Sequence, residues 1–171
     1  MKNSIKINKS QKMFAVICPP TKRNIVFGRK IHYLSFPEHA FVFRICPLSK
    51  TRITITGSFP FQFLLKYGSQ YYDSALSLGN HNGEGGVCVD MNHESISGTV
   101  EKVIKTAMEM FWSVPYQEGT EGRYIDHKTH GRPIHVPKLT NSSIKELKSF
   151  VKEIYESNAK KMDRRSQSRN K

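Results

Sequence analysis

Cys88 ends a loop-like run, Gly79-Asn80-His81-Asn82-Gly83-Glu84-Gly85-Gly86-Val87-Cys88, and is followed by Val89-Asp90-Met91. A thiolate is both a strong nucleophile and a good leaving group, so a presented cysteine suits acyl exchange through a thioester. Glycines at 79, 83, 85 and 86 open backbone conformations closed to other residues, which lets a loop fold tightly and hold up a side chain. In the extended run that follows, Cys88 and Asp90 fall on one side and Val87, Val89 and Met91 on the other. The loop is not a phosphate cradle, because no Lys-Ser or Lys-Thr follows its last glycine. The plainer reading is an inert, partly buried thiol after a structural turn.

Two other groupings carry donor atoms. His127, His130 and His135 lie in "DHKTHGRPIH", with Asp126 beside them and His81 and His93 elsewhere. Their spacing matches no zinc signature and no Cys-x-x-Cys pair accompanies them, so solvated loop histidines are expected and no metal or other cofactor. His127 or His130 could act as a base toward Cys88 if that loop folds back, which the sequence leaves open. The second grouping is cationic. Lysines 2, 6, 9 and 12 mark one end, and Lys160, Lys161, Arg164, Arg165, Arg169 and Lys171 the other, within a chain of formal net charge +13. Such ends suit phosphate contacts that are electrostatic and tolerant of sequence, as in a nucleic-acid-associated protein of a mobile element or a nucleoprotein assembly. A solubilising tail is the competing explanation.

The elements that must position these residues follow from texture. With 171 residues the chain has room for one domain with a core. Residues 1–12 are polar and basic and are expected to form a loose arm, 13–157 the domain, and 158–171 a basic disordered tail. From Met13, short runs rich in Val, Ile, Phe and Tyr ("MFAVIC", "NIVFG", "KIHYLSF", "AFVFRIC", "RITITG") are broken by Pro and Gly, the texture of consecutive antiparallel strands. Arg52 to Thr56 alternates, which predicts one buried face. Phe59, Phe61, Phe63 and Leu65 also alternate, but Pro60 among them predicts an edge or irregular segment. Val100, Val103, Ile104, Ala107, Met108 and Phe111 then recur at helical spacing, predicting a helix from near Ser97, its cap, to near Trp112, with Trp112 a core anchor. A second helix opens on the capping box Ser143 to Glu146 and sets Ile144, Leu147, Phe150, Val151 and Ile154 on one face. The fold class is therefore α+β, an antiparallel meander followed by two helices.

Cys18, Cys46 and Cys88 are odd in number and far apart, no apolar run reaches membrane length, and no signal-like segment follows the basic N-terminus. A cytoplasmic protein with reduced thiols and no membrane association is the expectation.

The order Asn80, seven residues, Cys88, then Val89-Asp90-Met91 resembles the active-site stretch of ubiquitin-conjugating (E2) enzymes. There a His-Pro-Asn triplet precedes the cysteine through a glycine-containing turn, and an apolar, acidic, apolar run follows it. The chain is also similar to divergent prokaryotic E2-like proteins, protein B of the PRTRC gene clusters among them. The resemblance implies a UBC-like fold, a thioester on Cys88 to the C-terminus of a ubiquitin-like protein, and Asn80 stabilising the oxyanion formed when an amine attacks. It further implies Asp90 as a member of the site, with a ubiquitin-like protein and its activating enzyme as partners. Leu78-Gly79 stand where the family has His-Pro, and strand-like text with Pro19-Pro20 stands where it has its N-terminal helix.

Overall fold

The computed structural model describes residues 3–55, 61–73, 86–87, 96–113, 133–134 and 139–169. Strands β1 (Ser4–Asn8), β2 (Met13–Cys18), β3 (Thr21–Phe27), β4 (Lys30–Phe36), β5 (His39–Arg44), β6 (Cys46–Pro47), β7 (Arg52–Ile55), β8 (Phe61–Tyr67), β9 (Gln70–Asp73), β10 (Gly86–Val87) and β11 (Ile96–Thr99) precede helix α1 (Val100–Ser113). After α1 come β12 (Pro133–Ile134), β13 (Thr140–Ser142) and helix α2 (Ile144–Arg169). Every strand pair is antiparallel. The class is α+β, antiparallel sheets followed by two helices, as the periodicities require.

The largest sheet runs β12-β9-β8-β5-β2-β1-β13, with β10 also paired to β8. Its central strands read as unbroken apolar text because both faces are covered. Phe14, Val16, Phe41, Phe43, Phe61, Phe63 and Leu65 point to one face and join the main core. Ala15, Ile17, Ala40, Val42 and Leu64 point to the other and form a smaller cluster, against which Met13, Tyr71 and Leu139 pack. Bulky residues thus meet the helices while small ones line the opposite face. The sheet cannot be flat. β12 and β13 occupy opposite edges of the sheet, and a flat sheet would hold them roughly 29 Å apart at ordinary strand spacing. The chain from Ile134 to Thr140 reaches at most about 21 Å. Only a bent sheet lets so short a connection join its two edges.

Strands β3 and β4 leave this sheet as a separate hairpin, so β2 pairs with β5 and the order departs from a simple meander. The hairpin turns on Gly28-Arg29, with Gly28 at φ 57°, and the β8–β9 hairpin turns on Gly68-Ser69, with Gly68 at φ 59°. A two-residue loop whose first residue is a glycine at positive φ matches the right-handed twist of the flanking strands. On the inner side of β3–β4, Ile25, Phe27, Leu34 and Phe36 enter the main core, while Ile31 and Tyr33 stay exposed.

Helix α1 buries Val100, Val103, Ala107 and Phe111, and α2 buries Leu147, Phe150, Val151 and Ile154. Phe111 sits 4.3 Å from Phe63 and 5.2 Å from Phe41, centroid to centroid, the close tilted and edge geometry that aromatic rings favour. The predicted capping box is present: Ser143 N–H donates to Glu146 Oε2 (2.5 Å) and Glu146 N–H to Ser143 Oγ (3.2 Å). Lys148 of α2 pairs with Glu101 of α1 and ties the two helices together.

Four expectations need correcting. Residues 4–8 are not a loose arm but β1, held between β2 and β13, because Ile5 and Ile7 alternate among the lysines and Ile7 is buried. Asn8 braces the turn that closes that strand, its Oδ1 accepting from Ser10 Oγ (2.7 Å) and Gln11 N–H (3.0 Å). β8, described from Phe61, is internal rather than an edge, held between β5 and β9, while Pro60 lies outside the described residues. Ser97 belongs to β11, opposite Thr54, and Thr99 caps α1 by accepting from Lys102 N–H at 3.4 Å. Finally, α2 runs through the expected disordered tail as far as Arg169. Nothing between Ile144 and Arg169 is Gly or Pro, and Ala, Lys, Met and Arg sustain a helix without packing.

Candidate functional site

Cys88, Asn80 and Asp90 lie outside the described residues, as do His81, His93, Asp126, His127, His130 and His135. What is described is the approach to Cys88. Strand β10 pairs Gly86 with Gln62 and Val87 with Phe61, at the start of core strand β8. β9 pairs with residues 64–67 of β8, so β10 extends along the same flank of that strand. The pairing fixes the backbone of the two residues that immediately precede Cys88 in the chain.

The other two thiols differ from one another. Cys18 is 5% exposed at the end of β2, where burial pushes its thiol up to about 11, against a smaller opposing pull from Arg23. At neutral pH it is a protonated core residue and a poor nucleophile. Cys46 is exposed, on the two-residue strand β6 opposite Thr54.

His39 lies directly across from Cys18 in the β2–β5 ladder. It is 1% exposed, ringed by Phe36, Phe41, Phe63 and Trp112, and its Nδ1–H donates to the Pro37 carbonyl at 2.9 Å. Burial drives its pKa down, and so does Arg23, while the Pro37 bond and Glu38 act the other way. The imidazole is held neutral. Near it, Glu38 Oε1 accepts from Lys66 Nζ (2.9 Å) and from Tyr71 OH (3.0 Å). The Lys66 bond above all keeps that carboxyl below its usual range, and burial raises the Tyr71 phenol. These contacts clamp β5, β8 and β9 together. No cluster of His, Cys, Asp or Glu able to hold a metal ion occurs among the described residues.

The cationic candidates Lys160, Lys161, Arg164, Arg165 and Arg169 all belong to α2, beyond its last buried residue, Ile154. Positions 157–168 are exposed throughout. Lys160, Lys161, Arg164 and Arg165 follow i, i+1, i+4, i+5 spacing and so share one side of the helix, with Asp163 off that arc.

Sequence reasoning missed a groove beside α1. Ile104, Met108 and Trp112 form one wall at four-residue spacing, next to the helix face that enters the core. Trp112 does pack on core rings, Phe36 at 5.2 Å and Phe111 at 4.8 Å, yet it remains part-exposed with the Arg23 guanidinium 5.2 Å from its ring centroid. The double width of the apolar stripe, with 104 and 108 beside 103, 107 and 111, was the signal that could have found it.

No protein-family profile, no curated protein and no solved structure matches the chain. No described helix is long and apolar enough to cross a membrane.

Proposed function

We propose that the chain is an E2-like domain that carries the C-terminus of a ubiquitin-like protein as a thioester on Cys88. The observation that supports this reading best is the pairing of Gly86–Val87 with Phe61–Gln62, which anchors the step before Cys88 to a buried strand rather than leaving it to a free loop. Catalytic groups need such rigid backing. Cys18 is a protonated core thiol, which removes it as a competing nucleophile.

In the reaction, the Cys88 thiolate attacks the carbonyl carbon of a thioester on an activating enzyme, whose own thiolate departs. An acceptor amine then attacks the new thioester, the Asn80 amide donates to the oxyanion, and the Cys88 thiolate leaves as the amide forms and the amine's proton passes to solvent. Asp90, two residues beyond Cys88, is placed beside the incoming amine by this reading.

The test is the pH profile of alkylation of the folded protein, resolved by thiol, with Cys18 expected to stay unlabelled until unfolding. Fast labelling of Cys88 with an apparent pKa well below that of a model thiol, lost in Cys88→Ala, is the expected result. A Cys88 rate equal to that of a model thiol would remove the catalytic part of the proposal.

A second reading rests on a separate observation, the solvent-surrounded basic half of α2. It makes the protein a polyanion binder, with nucleic acid as the partner and Lys160, Lys161, Arg164, Arg165 and Arg169 as phosphate contacts. Both readings place the protein in the cytoplasm, and they are compatible with one another.

A further inference from the structure

The groove beside α1 has a volume of about 600 Å³, within the range of roughly 300–1,000 Å³ typical of small-ligand sites. Its apolar surface comes from Ile5, Val16, Ile104, Met108, Trp112 and Ile144, drawn from β1, β2, both helices and no single stretch of sequence. Ile104 to Trp112 spans about 12 Å along the helix axis.

Among the described residues, four charged side chains also line it: Arg23, Lys105, Glu101 and Glu109. Three have partners. Glu101 is paired with Lys148, and Lys105 with Glu109 at 3.8 Å. Arg23 meets no carboxylate among the described residues. Its guanidinium lies over the Trp112 ring, a contact that orients the cation yet leaves its hydrogen-bond donors free. Among the described residues, the groove therefore combines an apolar wall with one uncompensated, oriented cation.

We propose that this groove binds a small amphipathic carboxylate, its aliphatic or aromatic body along Ile104, Met108 and Ile5 and its carboxylate on Arg23. A neutral ligand of the same shape would forgo the charge-assisted bonds. A cation would meet Arg23 unscreened, with both groove carboxylates already engaged. A planar guanidinium offers a carboxylate two parallel donors, which fixes the orientation of the ligand as well as its sign.

Trp112 is the sole tryptophan, so its emission reports on the groove without a label. Decanoate, kept below its aggregation concentration, is titrated into the full-length protein against decanol as the neutral analogue. Decanoate is expected to change Trp112 emission saturably, and decanol to bind at least about tenfold more weakly, the worth of a charge-assisted bond. Arg23→Gln alters an exposed side chain, so the fold should persist with an unchanged thermal midpoint, and the preference for decanoate should vanish. Non-saturating titrations, equal affinity for the two ligands, or a preference retained in Arg23→Gln would each overturn the proposal. The comparison on the unaltered protein decides it even if the variant misfolds.

Discussion

At the scale of single residues, the most consequential titratable group is His39. Its folded pKa lies below the ordinary 6.5 because burial disfavours the charged ring, reinforced by Arg23 and opposed by the Pro37 carbonyl and Glu38. The unfolded chain therefore binds a proton that the folded one refuses, in the window from about 6.5 downward. Stability should be level above that window and fall as the pH drops through it. Measured thermal midpoints are expected to decline between about pH 7 and 5, and the decline should flatten in His39→Gln even though that variant starts lower. Equal slopes for the two proteins would show that another group dominates. Glu38 contributes in a separate window. Its carboxyl is held below the ordinary 4.5 by Lys66, so its share is present above that value and lost as pH falls further. With both partners about a third exposed, that share is about 0.2–1 kcal/mol.

At the scale of elements, the turns and the aromatic contacts decide what can change. Gly68 holds φ 59°, and an added Cβ would meet nothing within 4 Å, so the penalty of Gly68→Ala is purely one of backbone conformation. Chemical denaturation should find it destabilised by about 1–2 kcal/mol, with Gly68→Asn milder because Asn tolerates that region. Indistinguishable Ala and Asn variants would mean that the turn relaxes. Phe111 is fully buried against Phe41, Phe61 and Phe63, and Phe111→Ala should cost about 3–5 kcal/mol. How far such elements are legible in sequence depends on whether their signal is local. The box at Ser143 and Glu146, the alternation of Arg52 to Ile55, and the stripe of α1 can all be read directly, since each needs only its own residues. β1 is concealed in the sequence because Ile5 and Ile7 flank Lys6 in a basic stretch, and its place in the sheet depends on β13, well over a hundred residues later. The groove is harder still, since its walls come from β1, β2, β3 and both helices, which only the finished fold brings together. The run around Cys88 is the opposite case, a local motif legible in neighbouring residues alone, with Cys88 itself outside the described residues.

At the scale of the whole molecule, the question is what a net charge of +13 is for. Charge spread evenly would serve solubility, but part of it is gathered where it stabilises nothing. From Ser157 to Ser168 α2 buries no side chain, so its helix extends about 20 Å from the last packed turn. Lys160, Lys161, Arg164 and Arg165 share one side of it without a core to serve. Removing residues 158–171 should then leave the folding free energy within about 0.5 kcal/mol of the intact chain, as expected for surface far from packed structure. Affinity for a duplex oligonucleotide should fall, and with it the salt dependence. Every phosphate that is no longer neutralised lowers the slope of log affinity against log salt by about 0.9. Arg164→Glu with Arg165→Glu should reproduce most of that weakening in a full-length chain, which separates charge from length. If the truncated protein keeps both the affinity and the slope, the cations of α2 serve solubility and the binding surface lies elsewhere. If affinity falls while the slope stays fixed, α2 acts through shape rather than charge, because counterion release is the one term that scales with salt in this way.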